Sequence, residues 1–261
     1  MKTKKIVALT LAGAIAFAPS LSSAANATEN TTTETETQTK KKTTSLFKVK
    51  QKKVDKSKTF TGSKSQITAT CYYTRVVLKG KNENLKKINK QLKKLSKNFF
   101  KGQNGTASIY EMAKNQSDMF DQNDEFMSYA GQDVQFVNKK YVSITESAYW
   151  YAGGVHNVMV DGYTFSLKTG KQVKKITKFT KTKSLKKIKK KLKKQILSRY
   201  AEDIFENKFK ECIDDKKASE FNFYINEKGK VAFCFDPYEI GAGAYYREYV
   251  LPGKYKKNLY K

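Results

Sequence analysis

Two periods alternate along this chain, and between them they sketch most of its elements. Over 66–78, Ile67, Ala69, Cys71 and Tyr73 fall on one face and Thr68, Thr70, Tyr72 and Thr74 on the other, which predicts a half-buried strand. The apolar positions then shift to Val76-Val77-Leu78, and Lys79-Gly80-Lys81-Asn82 closes the strand. Lys48 to Lys56 is a weaker strand candidate. Leu85, Ile88, Leu92, Leu95 and Phe99 recur at helical spacing with lysines between them, predicting an amphipathic helix over 83–100. Ile109, Met112 and Ala113 predict a shorter second helix, while Met119, Phe120, Phe126 and Met127 fit loop or helix.

Strands return over 133–138 and 141–147, joined by Asn138-Lys139-Lys140. Gly153-Gly154 and His156 then lead into Val158, Val160, Tyr163, Phe165 and Leu167. Asp161-Gly162 reads as a turn between two of these strands. Lys168-Thr169-Gly170-Lys171 reads as another, with Gly170 at positive φ. An antiparallel meander is the economical arrangement here. Leu185, Ile188, Leu192, Ile196, Tyr200, Ile204 and Phe205 mark a second long helix over 182–210. Strands over 221–225 and 230–235 flank the turn Asn226-Glu227-Lys228-Gly229, and 246–251 is a closing strand. The pattern as a whole predicts an α+β fold: antiparallel sheet or sheets, with two long amphipathic helices packed on one side.

The ends of the chain follow other rules. Residues 1–27 have a basic start (Lys2, Lys4, Lys5), an apolar run from Ile6 to Pro19 and an Ala25-Asn26-Ala27 cleavage pattern, as in a signal peptide. The apolar run is short for a membrane span. Residues 28–45 hold threonine, glutamate and lysine without a strongly apolar side chain, and are expected to be a disordered spacer.

Charge changes the picture next. The chain carries +28, and +25 once the three signal-peptide lysines are removed, so anionic partners are favoured in general. The export signal argues against nucleic acid and points to anionic wall polymers and headgroups. Lysine outnumbers arginine, which fits a diffuse hydrated field better than bidentate recognition. Eight lysines (Lys183, Lys186, Lys187, Lys189, Lys190, Lys191, Lys193 and Lys194) crowd the outer face of the second helix. They form a candidate anionic-polymer surface, or simply a solvated helix face. Cys71, Cys212 and Cys234 lack metal-site spacing and are expected to be buried thiols with at most one bridge. Asp121-Gln122-Asn123-Asp124-Glu125 lacks the glycine and terminal glutamate of a calcium loop, so no metal and no cofactor is expected.

Tyr149, Trp150, Tyr151, His156, Glu239, Tyr245 and Tyr246 are candidate ligand contacts, on the expectation that the first and last strands of the C-terminal half adjoin. His156 is the only histidine and has no recognisable nucleophile beside it, so a structural bond to a carbonyl or to Glu239 is the plainer reading. Asp236 and Glu239 suit either a paired-carboxylate hydrolase or turn capping around Pro237.

Two stretches carry a family likeness. Gly153, Gly154, His156 and the run Leu167-Lys168-Thr169-Gly170-Lys171, followed by Pro237-Tyr238-Glu239 at the end of a later strand, resemble domain-of-unknown-function family 3298. Residues 50–145 resemble its usual neighbour, family 4163. The resemblance implies an α+β fold with helices on one side of an antiparallel sheet. It also implies a module found outside the cell, in a lysozyme-sensing anti-sigma factor and beside the catalytic domain of a peptidoglycan deacetylase, without supplying chemistry in either.

The expected organisation is therefore signal peptide (1–27), spacer (28–45), a family-4163-like module (46–147), a family-3298-like module (148–255) and a basic tail (256–261). The anti-sigma role is not expected to carry over, since no later segment is apolar enough to span a membrane. Lysozyme capture would have to overcome repulsion between two basic proteins. The expected protein is not an enzyme. It is a monomeric, exported, extracellular or wall-associated protein binding anionic wall polymer or peptidoglycan. A lysozyme-type protein-binding module and a carboxylate-based wall-glycan hydrolase are the alternatives.

Overall fold

In the computed structural model, described residues are 32–35, 46–101, 109–119, 121, 124–200, 203–243, 246–253, 255 and 258–260. The signal-peptide region, most of the spacer and Tyr245 lie outside them.

Alternation is strongest where the structure is most regular. β2 (Lys48–Thr61) and β3 (Gln66–Lys79) pair antiparallel along their whole lengths, and β1 (Thr32–Thr35), inside the expected spacer, pairs with Lys53–Lys56 of β2. Ile67, Ala69, Cys71 and Tyr73 are buried as their spacing predicts. They lie under α1 (Asn84–Phe100) and α2 (Ile109–Met119), whose apolar positions Leu85, Ile88, Leu92, Ile109 and Ala113 join the same layer. These helices are a crossover, so β4 (Asp124–Val137) returns parallel to β3, from Ile67↔Asp124 to Thr74↔Gly131. β5 (Tyr141–Ala152) and β6 (Val155–Ser166) then add antiparallel, completing a six-stranded sheet in the order β1-β2-β3-β4-β5-β6. Beyond Thr74 β3 parts from β4, and the buried Gln132 side chain bridges the gap by accepting the Val76 amide at 3.1 Å.

The rest of the chain forms a lobe on the other face. β7 (Phe223–Ile225), β8 (Val231–Phe235) and β9 (Arg247–Val250) make a three-stranded antiparallel sheet. One face of it (Phe223, Ile225, Phe233, Phe235, Tyr249) packs with Ile188, Leu192 and Ile196 of α3 (Leu185–Tyr200). The other face, Tyr224, Ala232 and Cys234, meets Val160 of β6. β7 also approaches β4 and β5, and the Ile225 amide donates to the buried Ser143 hydroxyl at 2.9 Å. The large sheet is thus covered by α1 and α2 on one face and, at one end only, by this lobe on the other.

Several expectations are corrected. Helices sit on both sides of the assembly, α1 on the large sheet and α3 on the small one. The sheet has one parallel pair, because an α1–α2 crossover precedes β4. β5 runs unbroken through residue 147, so the large sheet takes strands from both expected modules. Asp161-Gly162 is not a turn: both lie within β6, paired with Glu146 and Thr145. A Cβ on Gly162 would stand 2.2 Å from the Phe223 carbonyl oxygen, so this glycine serves close approach of backbones. α3 stops at Tyr200 rather than 210, and Ile204 instead bridges to Gly241. Phe126 and Met127 are strand, not loop or helix. The three cysteines, by contrast, agree with the expectation of buried thiols: all are free and buried.

Candidate functional site

Gly153 and Gly154, both at positive φ (58° and 88°), form the two-residue turn between β5 and β6. That turn fixes every pairing behind it: Tyr151↔His156, Trp150↔Asn157, Tyr149↔Val158 and Glu146↔Asp161. Alternation then divides the aromatic triad. Trp150 points to the helix side and packs with Phe126, Ile109 and Ala113. Tyr149 and Tyr151 point to the opposite face, beyond the end of the lobe.

There they join residues the sequence reading missed. Tyr72, Tyr129, Tyr149 and Val158 stand side by side on β3, β4, β5 and β6, and Thr70, Met127, Tyr151 and His156 form the next row. Tyr72, Met127 and Tyr129 are 38%, 41% and 40% exposed. The Tyr149 and His156 rings lie 6.2 Å apart. Tyr129 lies across Gly131, where a Cβ would meet its hydroxyl. Hydroxyl ladders flank the rings: Ser57 with Thr70 at 3.1 Å and Thr59 with Thr68 at 3.0 Å. Sequence alternation already put Tyr72 on the outer face; Met127 and Tyr129 were hidden because their stretch was not recognised as strand.

The other predicted contacts go elsewhere. Tyr246 packs against Val160, Tyr224, Ala232 and Cys234 at the rim of the lobe, and so borders the open face. Glu239 does not meet His156. Its Oε1 binds Lys216 at 2.6 Å and its Oε2 accepts the Asp236 amide at 2.9 Å, the capping geometry of a turn.

A carboxylate pair that the sequence reading did not find lies on the helix side. Glu146 accepts from the Tyr73 hydroxyl and, at 2.9 Å, from Gln132. Burial pushes its carboxyl up, against those two hydrogen bonds. Asp161, its cross-strand partner, is pushed up to about 6 by burial and then by the charges of Asp236 and Glu146. Asn222 holds it from the lobe. Its Nδ2 donates to Asp161 Oδ1 (3.0 Å) and to the Val160 carbonyl (2.9 Å), and its Oδ1 accepts the Gly162 amide (2.8 Å). One amide side chain thereby closes the exposed edge of β6 as a further strand would. Asp161 also lines a shallow groove of about 200 Å³ between β6 and residues 172–174 and 219–223. Donors from the chain itself engage both carboxylates, so the pair as folded is a structural seam. Among the described residues no cluster of three or more His, Cys, Asp or Glu is arranged to hold a metal.

The eight lysines in and just before α3 divide by partner. Lys183 donates to the Thr177 and Thr180 carbonyls, Lys189 to the Asp214 carbonyl, and Lys193 pairs with the Asp214 carboxylate at 2.7 Å. Lys186, Lys187, Lys190, Lys191 and Lys194 are exposed, with no acidic partner among the described residues. Their spacing places them on one stripe of the helix, opposite Ile188, Leu192 and Ile196.

Comparison with known proteins adds a family and a fold. Residues 172–253, just under a third of the chain, match the model of a family described as a protein of unknown function, DUF3298. That segment contains the second of the two sequence motifs and begins after the first. The solved structure of a DUF3298 member from Bacteroides fragilis is similar, with a TM-score of 0.51 at 13% identity over 81% of this chain and 92% of that one. Another member, from Pseudomonas aeruginosa, gives a TM-score of 0.46 at 13% identity over 78% and 90%. No curated protein matches the chain. Over residues 172–253 the chain is distantly homologous to DUF3298 proteins, and it shares a mixed α+β fold with the Bacteroides fragilis member. No helix of the described residues is long and apolar enough to cross a membrane.

Proposed function

We propose that this protein is exported and works without catalysis as a cell-envelope binding protein, docking an anionic wall polymer on the outer face of α3. The observation that carries this reading is the stripe Lys186, Lys187, Lys190, Lys191 and Lys194, which faces solvent without acidic partners among the described residues. It extends along about 12 Å of helix, from the rise per residue. The other three lysines are spent on carbonyls and Asp214, and they hold the stripe in place. A rigid row of ammonium groups suits a chain of phosphodiesters, and the attraction is expected to weaken with salt. Export rests on the signal-like pattern of residues 1–27, and the likeness of residues 50–145 to family 4163 belongs to the same extracellular reading.

Co-sedimentation with Gram-positive sacculi, before and after removal of teichoic acid and across a salt series, tests this. The mature protein is expected to sediment at low salt and to be released by salt or by loss of the polymer. Changing the five stripe lysines to glutamine is expected to weaken binding about tenfold or more. The same number of changes on α1 (Lys87, Lys90, Lys93, Lys94 and Lys97) removes equal charge and is expected to cost much less. Equal losses in the two variants would show that net charge alone, and no surface, is at work.

A further inference from the structure

The open end of the large sheet departs from the rest of the surface. A chain of +28 covers α1 and α3 with lysine, yet among the described residues this face, from β2 to β6, carries few charges: Lys53 against Asp55, Glu125 and Asp133, with His156 beside them. What it presents instead is rings and hydroxyls. Tyr72, Tyr129 and Tyr149 stand on three adjacent strands, with Met127, Tyr151 and His156 in the next row. Ser57, Thr59, Thr68 and Thr70 lie beside them.

We infer that this face is a second binding site, independent of the lysine stripe, for an uncharged β-linked polysaccharide chain. Three features select that occupant. Neighbouring strands are ~4.8 Å apart, close to the length of one pyranose unit, so a sugar chain crossing the strands meets one tyrosine per ring. Tyrosine offers an apolar face to the C–H side of a sugar and a hydroxyl to its edge. The serine and threonine ladders on β2 and β3 give neutral donors and acceptors where the chain would run on. A polyanion would need the lysines that this face lacks. The lobe's rim, where Tyr246 packs against Val160 of β6, borders the platform.

The probe is a soluble, uncharged β-1,4-linked N-acetylglucosamine hexamer, titrated into the mature protein by calorimetry at salt high enough to abolish polyanion binding. Saturable binding is expected, and the double change Tyr129→Ser and Tyr149→Ser is expected to weaken it by about tenfold or more, as loss of stacked rings does. Tyr129→Phe with Tyr149→Phe is expected to keep most of the affinity, because stacking needs the ring, and this variant guards against a folding defect. The α3 lysine variant is expected to bind the hexamer normally, which separates this site from the polyanion reading. Absence of saturable binding, or equal binding by the serine variant, overturns the inference and leaves the α3 reading untouched.

Discussion

The same face of β4, β5 and β6 is built in two ways. At the end under the lobe its side chains are small or fully enclosed: Ser143, Thr145, Gly162 and Thr164, with Phe136 buried in the lobe's own core. At the other end they are Met127, Tyr129, Tyr149 and Tyr151, and the lobe does not reach them. Small residues are required where another backbone comes close, as the Phe223 carbonyl over Gly162 shows. Large rings left at a surface are not required by packing. The contrast teaches that the open end is not unfinished core: its residues have core size but no cover.

The comparison breaks most severely at Gly162. Gly162→Ala would drive a methyl group into the Phe223 carbonyl at 2.2 Å, against backbone that cannot swing away as a side chain does. It would also disturb the Asn222 clamp. Destabilisation of about 3 kcal/mol or more is expected by denaturant unfolding. An alanine here within about 0.5 kcal/mol of wild type would mean that the lobe does not press on β6.

The next test acts on the seam itself. Asp161 has its carboxyl raised from the ordinary aspartate range to about 6, so the folded state holds a proton that the unfolded chain has released. This contribution is complete below about pH 4 and is lost as pH rises through about 6. Asp161→Asn keeps an oxygen for Asn222 and removes the charge beside Glu146 and Asp236. At pH 8 it is expected to stabilise the fold by about 2–3 kcal/mol, and at pH 4 to change little. Thermal unfolding at the two pH values checks this; a variant that loses stability at pH 8 would show that the charged form is the one the seam was built for.

Much of this architecture was legible, and the failures have physical causes. α1 and α2 follow from Leu85, Ile88, Leu92 and from Ile109 and Ala113, because their stripes are covered on one side only. The Gly153-Gly154 turn, taken at face value, already pairs Glu146 with Asp161, since a two-residue hairpin leaves no freedom of register. That pairing was obscured by Asp161-Gly162, whose composition signals a turn but whose glycine answers a contact from residue 223, far along the chain. The same applies to Asn222, which acts on β6 from the lobe. The end of α3 at Tyr200 was hidden because apolar spacing runs on to Ile204 and Phe205, although Ile204 is taken by a bridge to Gly241. The lysine stripe was plain in the sequence. The aromatic platform was only half visible, because its rows run across strands that are joined by a parallel crossover.

The smallest expected effect sharpens the comparison furthest. Tyr149→Ser, at the open end, removes a ring that contacts His156 and neighbours Tyr129 but fills no enclosed core. Its cost to stability is expected to stay under about 1 kcal/mol, in the range of surface substitutions and cross-strand pairs. Phe136→Ala, on the same sheet face under the lobe, removes a ring with no exposed surface and is expected to cost about 3–5 kcal/mol. Denaturant titrations of the two variants, run side by side, read the difference directly. If Tyr149 proved as costly as Phe136, the open end would be held by packing after all, and its exposed rings would need no ligand to explain them. A cheap Tyr149→Ser leaves the rings without a structural reason to be there, and that is the condition under which a binding role for this face becomes the economical account of it.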